Sequence, residues 1–193
     1  MSVSLSKGQR VSLEKRGGGT LTRVRMGLGW DAVKKKRMFG GLKSQDIDLD
    51  ASALLFDSAG QLVDQVWFQQ LQSKDGAVRH TGDNLTGAGE GDDESILVDL
   101  SGLPANITSL VFTVNSFTGQ NFSQIENAYC RLVDETANDA ELARYSLSGS
   151  GPHTAQIMVK LARDGSGWTM TALGIPASGR TFHELLPALA GQL

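Results

Sequence analysis

The chain has a single cysteine, so no disulfide can form within it, and a disulfide-stapled secreted scaffold is excluded. Three histidines and that one thiol are too few for a zinc centre built from such ligands. No apolar run approaches the roughly 18 residues that span a bilayer. The opening Met1-Ser2-Val3-Ser4-Leu5-Ser6-Lys7 lacks the apolar stretch of a secretory leader. Proline, at four residues, and the aromatics, at 6%, are sparse, while 40% of the 193 residues are hydrophobic and 20% charged. That is enough apolar material for one ordinary core, so the expectation is a cytoplasmic protein with a single domain over 1–193.

What is abundant is unevenly placed charge. The net charge of −3 conceals a basic first segment, residues 1–45, with 11 Lys and Arg against 2 Asp and Glu. Residues 46–100 reverse this, with 2 Lys and Arg against 12 Asp and Glu. So many carboxylates in one stretch repel unless they are solvated, paired with bases or neutralised by cations.

Alternation of period two dominates. Ile47, Leu49, Ala51, Ala53 and Leu55 are apolar, with Asp46, Asp48, Asp50 and Ser52 between them, which reads as a strand with one buried and one polar face. Leu110, Phe112 and Val114 alternate likewise, as do Ala128, Cys130 and Leu132, and Ile157, Val159 and Leu161, although helix also fits the last. Further strands are expected at 2–6, 10–14, 21–28, 62–68, 95–100, 142–148 and 167–174. Turn-forming runs such as Ser58-Ala59-Gly60, Lys74-Asp75-Gly76 and Arg163-Asp164-Gly165 separate them. Many short strands with frequent turns predict a mainly β protein, a β-sandwich with a few short helices. One helix is expected near Phe122–Ile125 and one at 181–190, interrupted or kinked by Pro187. Gly17-Gly18-Gly19 and the basic insert, about 33–45, read as short linking loops.

Asp46, Asp48 and Asp50 project from one strand face, about 6–7 Å apart. The glycine-rich loop Thr81–Glu94 adds Asp83, Glu90, Asp92, Asp93 and Glu94, together with the Asn84 amide. Crowded hard oxygens are what calcium takes, in sets of about 6–8. Magnesium is the rival, with stricter octahedral geometry. Neither segment is an EF-hand: counted from Asp46, the sixth and twelfth positions are Ala51 and Asp57 instead of Gly and Glu. The alternative is a solvated acidic face. His183-Glu184 fails as a metalloprotease motif because its second histidine falls at Pro187. Cys130 reads as a buried, inert thiol. Lys34-Lys35-Lys36-Arg37 could touch anionic lipid or nucleic acid, but no nucleic-acid-binding motif accompanies it.

Several blocks together resemble one family. Gly27-Leu28-Gly29-Trp30-Asp31, Asp46-Ile47-Asp48-Leu49-Asp50-Ala51-Ser52-Ala53, His80-Thr81-Gly82-Asp83-Asn84 and Gly91-Asp92-Asp93-Glu94-Ser95 are similar to signature blocks of the TerD family of tellurium-resistance and stress proteins. Ser4–Gly8, Phe122–Ile125, Tyr129–Val133 and Glu141–Tyr145 fit in the same order, and the long loop after Asp31 is closest to the TerZ-like subgroup. The resemblance implies a cytoplasmic β-sandwich that binds Ca2+, two ions being expected, through Asp46, Asp48, Asp50, Asp83, Asn84, Asp92, Asp93 and Glu94, with Asp31 a further ligand. It implies association with resistance to tellurite and other stresses. The leading expectation is a non-enzymatic calcium-binding module with other tellurium-resistance or stress proteins as partners, and the charge of the basic loop 34–37 adds an expected peripheral membrane association. Two other functions stay open: a metal-dependent enzyme acting on a phosphate ester or an oxyanion, and a calcium-dependent small-ligand-binding module.

Overall fold

A computed structural model describes residues 3–4, 6–15, 18–31, 33–36, 42–45, 47–84, 91–147, 151–165 and 167–193. In chain order the strands are β1 (Val3–Ser4), β2 (Arg10–Leu13), β3 (Arg23–Asp31), β4 (Val33–Lys36), β5 (Leu42–Gln45), β6 (Leu49–Phe56), β7 (Leu62–Val66), β8 (Val78–His80), β9 (Glu94–Asp99), β10 (Ser109–Ser116), β11 (Glu126–Asp134), β12 (Ala140–Ser146), β13 (Ala155–Asp164) and β14 (Gly167–Ala177). They form two six-stranded sheets, ordered β1-β12-β11-β3-β9-β8 and β2-β14-β13-β10-β6-β7, plus the separate ribbon β4-β5. Every pair is antiparallel except β1 with β12.

The main core lies between the two sheets. Val24, Met26, Leu28 and Trp30 from β3 meet Leu49, Ala51, Ala53 and Leu55 from β6, with Leu110, Phe112 and Val114 of β10 beside them. These are the alternating positions of the sequence, and each is almost fully removed from water. Cys130, on the inward face of β11, is 1% exposed, and burial pushes its thiol up to about 12.

A second, smaller core corrects the expectation of a polar outer face on β6. All eight residues of β6 are buried. Leu54 and Phe56 join Val111, Ala155, Ile157 and Leu173 on the outside of the second sheet, where Phe182, Leu185 and Leu189 cover them. The C-terminal segment is therefore a lid over a central strand, which has to be apolar on both faces. The short terminal helix expected at 181–190 is present in a reduced form: a 3-10 turn, Phe182–Leu185, runs into the one-turn helix α1 (Leu186–Leu189). Pro187 stands in the first turn of α1, where its missing N–H costs nothing.

Three other local expectations are corrected. Residues 122–125 form a turn instead of a helix. The basic insert, read as a linking loop, pairs as β4 with β5, from Val33 opposite Gln45 to Lys36 opposite Leu42. In β13 the pairing with both neighbours skips Met158, so the side-chain alternation slips there. Ile157 consequently faces the outer core, while Met158, Val159 and Leu161 face the inner one.

Candidate metal centre

The centre forms where β7 runs out. β7 pairs with β6 only from Ala53 onward, through Ala53 opposite Val66. Beyond that point a side chain replaces the strand: the Ala51 N–H donates to Glu94 Oε2 at 2.8 Å. Glu94 Oε1 accepts the Asn84 N–H at 3.1 Å, and the residue is 1% exposed. His80, also buried, accepts the Gly82 N–H on Nδ1 at 3.1 Å and places Nε2 3.3 Å from Glu94 Oε2. With Nδ1 accepting, the ring proton belongs on Nε2, which lies near the carboxylate without a hydrogen bond to it. Glu94 thus joins β6, the 81–84 segment and β8 at one buried point.

Around that point Asp48, Asp50 and Asp83 each direct one carboxylate oxygen to a common spot, all within 4.8 Å of one another. Asp48 and Asp50 are 8% and 4% exposed, and Asp48 Oδ1 and Asp50 Oδ2 have no hydrogen-bond partner. Burial, reinforced by Asp48, Glu94 and Asp83, lifts the Asp50 carboxyl from the usual 3.8 to about 8. Burial, then Asp83 and Glu94, lifts Asp48 to about 6. Two oxygens on one calcium ion lie at most about 5 Å apart, twice a bond of roughly 2.3–2.6 Å, so the three carboxylates fit one hard cation. Their buried, unpartnered lone pairs are the chemistry such an ion satisfies.

The remaining sequence candidates are placed differently. Asp93 Oδ2 accepts the Trp30 N–H at 2.9 Å, and Oδ1 accepts from Asn84 Nδ2 at 3.1 Å. Its carboxyl is raised above the usual range by burial and by the nearby charges of Asp31 and Asp92. Asp31 is exposed at the end of β3 and accepts from Asn127 Nδ2 at 2.6 Å. Asp92 faces away from the cluster: Arg131 Nε and Nη2 grip it at 2.7 and 3.1 Å, and Arg25 Nη1 donates to its Oδ2. Its side chain is 4% exposed, and its charge is matched there by arginine. Asp46 and Glu90 lie outside the described residues.

The Gly27-x-Gly29 spacing explains how Asp92 gets there. A Cβ on Gly27 would meet Asp92 Oδ2 at 2.1 Å, and one on Gly29 would meet the Tyr129 ring at 2.5 Å. Bare backbone at both positions lets the 91–93 segment lie flat across β3, with the Tyr129 hydroxyl donating to the Gly91 carbonyl at 2.8 Å. Leu28 and Trp30, between and after the glycines, turn inward to the core.

One residue at the centre, His80, is not among the expected ligands. It carries a signal, since it immediately precedes Thr81-Gly82-Asp83-Asn84, but its partner Glu94 is distant in the chain.

Fold and centre together define a two-sheet β-sandwich that gathers buried carboxylates at the end of a short edge strand. The chain belongs to the TerD family: the family's TerD-domain model matches residues 1–188. It is 52% identical over 185 residues to the tellurium resistance protein TerZ of Serratia marcescens, covering 95% of this chain and 94% of that one. General stress protein 16U of Bacillus subtilis (strain 168) is 43% identical over 182 residues, covering 90% of each. The crystal structure of a telluride resistance protein (TerD) homologue from Streptomyces coelicolor A3(2) superposes with a TM-score of 0.69 at 22% identity, covering 85% of this chain and 96% of that chain. These relatives are named as resistance or stress proteins, not as enzymes. Among the described residues, no helix is long and apolar enough to cross a membrane.

Proposed function

We propose that this protein is a cytoplasmic, non-enzymatic calcium-binding member of the tellurium-resistance and stress group, whose acidic loops Ca2+ orders into a surface for a partner. One observation carries the reading: three carboxylate oxygens converge within 4.8 Å while two of those carboxylates are buried and hold unpartnered oxygens. Without a cation the cluster repels itself. With one, Asp48 and Asp50 of the β6 edge are tied to Asp83 on the loop, and the negative charge of that end falls. Calcium is preferred to magnesium because crowded carboxylate oxygens suit its flexible coordination, whereas magnesium demands a strict octahedron and keeps more of its waters. Asp93 and Asp31, electrostatically coupled near Trp30, support a second, more exposed ion position. The partners proposed for that surface are other tellurium-resistance or stress proteins. The basic β4-β5 ribbon, with Lys34, Lys35 and Lys36 on β4, supplies charge for peripheral contact with anionic lipid.

Titration calorimetry of chelator-stripped protein with calcium and with magnesium tests the reading. Calcium is expected to bind, and to raise the melting temperature by roughly 5–10 °C at a hundredfold excess over Kd, from about 2.7 kcal/mol of linkage. Asp83→Ala combined with Asp93→Ala removes most of that rise. No heat and an unchanged melting curve in millimolar calcium would overturn the assignment.

A further inference from the structure

Asn115 is the cross-strand partner of Asp50 in the β10–β6 pairing. Residues paired directly across an antiparallel ladder share a face, with Cβ atoms about 4.5–5.5 Å apart. Asn115 is 0% exposed, and its Nδ2 donates to the Gly179 carbonyl at 3.1 Å. That bond fixes which end of the amide is nitrogen, so Oδ1 is the end turned away from Gly179. Oδ1 is buried without a partner, as is Asp50 Oδ2 across the ladder. Of the six buried orphan side-chain atoms among the described residues, the acceptors Asp48 Oδ1 and Asp50 Oδ2 belong to the carboxylate cluster, Asn115 Oδ1 sits across the ladder from it, and His80 Nε2 lies beside Glu94. A lone buried acceptor costs about 1–3 kcal/mol, and acceptors side by side repel as well. What satisfies them together is a shared positive centre.

We infer that Asn115 Oδ1 is a neutral oxygen ligand of the cation held by Asp48, Asp50 and Asp83, an inference that rests on the calcium reading above. A neutral ligand suits the position. The three carboxylates already exceed the charge of a divalent ion, so a further coordination place is best filled by an oxygen that adds no charge, and calcium accepts amide carbonyls readily. The ligand is also preorganised. Gly179 holds the amide in a closed environment, so binding freezes no free rotamer. The Gly179 contact links the ion to the segment that leads into the C-terminal lid.

Calcium titration of three folded, chelator-stripped proteins tests this: wild type, Asn115→Ala and Asn115→Asp. Asn115→Ala is expected to weaken calcium by about 10- to 100-fold, the range that losing a supporting group costs a metal site. Asn115→Asp keeps an oxygen but cannot donate to Gly179, and is expected to regain most of that loss. Wild-type affinity in Asn115→Ala overturns the inference and leaves the calcium reading standing. Equal weakening in both variants also overturns it, because Asn115 would then act only through Gly179. Absence of calcium binding in the wild type removes the calcium reading and the inference with it. Should Asn115→Ala fail to fold, the side-chain amide resonance of Asn115 in wild-type protein decides: a calcium-dependent shift is expected, and an unmoved signal while the 81–84 amides shift refutes the assignment.

Discussion

Replacing Asp50 by asparagine should have two effects of opposite sign. Folding raises this carboxyl from 3.8 to about 8, so the native protein holds the proton more tightly than the unfolded chain does. Calcium-free stability therefore falls as pH climbs from about 4 to about 8, and levels off above the higher value once this carboxyl's contribution is gone. Because pH 7 lies roughly 3 units above the unfolded value, keeping this carboxyl at its native site carries a burden of about 4 kcal/mol there, at 1.36 kcal/mol per unit. Relaxation of the exposed Asp83 discharges part of it. Asp50→Asn, whose new amide has Asn115 Oδ1 as a cross-strand acceptor, should stabilise the calcium-free protein by roughly 2–4 kcal/mol at pH 7. For a chain of this length that raises the melting temperature by roughly 4–16 °C. The same substitution removes a ligand, so the calcium-dependent rise should nearly vanish. Melting curves by circular dichroism from pH 5 to 8.5, with chelator and with calcium, separate the two effects. A lower calcium-free melting temperature for Asp50→Asn at pH 7, or a wild-type curve that does not fall toward pH 8, would refute the reasoning.

Gly27→Ala should displace Asp92 from Arg25 and Arg131, because the new methyl would sit 2.1 Å from its carboxylate. Urea denaturation should show a loss of about 2–4 kcal/mol, below the full cost of a broken buried pair because both arginines keep some solvent contact. In an Asp92→Ala background the same change should cost much less, and additive losses would disprove the clash. Cys130, with its thiol pushed up to about 12 by burial, should resist a thiol-specific disulfide reagent at pH 8 in native protein and react at once in denaturant. Fast reaction under native conditions would show that β11 opens far more readily than its packing indicates.

The sandwich was legible in the sequence because apolar residues recur at period two along its inward faces, and β11 keeps that pattern through Ala128, Cys130 and Leu132, whereas β6 and β10 are buried on both faces. It failed where a third layer intervened. Leu54 and Phe56 looked like the end of an alternation, yet Phe182 and Leu189, far along the chain, supply their cover. The slip at Met158 left no composition signal, since Ile157, Met158 and Val159 are all apolar and either face would accept them. In the acidic region, local density pointed to Asp48, Asp50 and Asp83, whose carboxylates do converge, but could not sort carboxylates by partner. Asp92 and Asp93 are adjacent, and a strand-like backbone sends them to opposite sides: one to the arginines, the other to Trp30. Whether a carboxylate meets a cation or a guanidinium depends on Arg25 and Arg131, which lie 67 and 39 residues away.

The carboxylate of Glu94, standing in for the strand that β7 does not provide, has a consequence for solubility. Exposed ladder donors at a sheet margin are templates on which another molecule can add a strand and start self-association. Here the donor at Ala51 is occupied by a side chain anchored from the opposite sheet. Whatever withdraws Glu94 from that post would uncover a sticky seam on a hydrophobic strand, so the residue guards against aggregation as well as bracing the acidic corner.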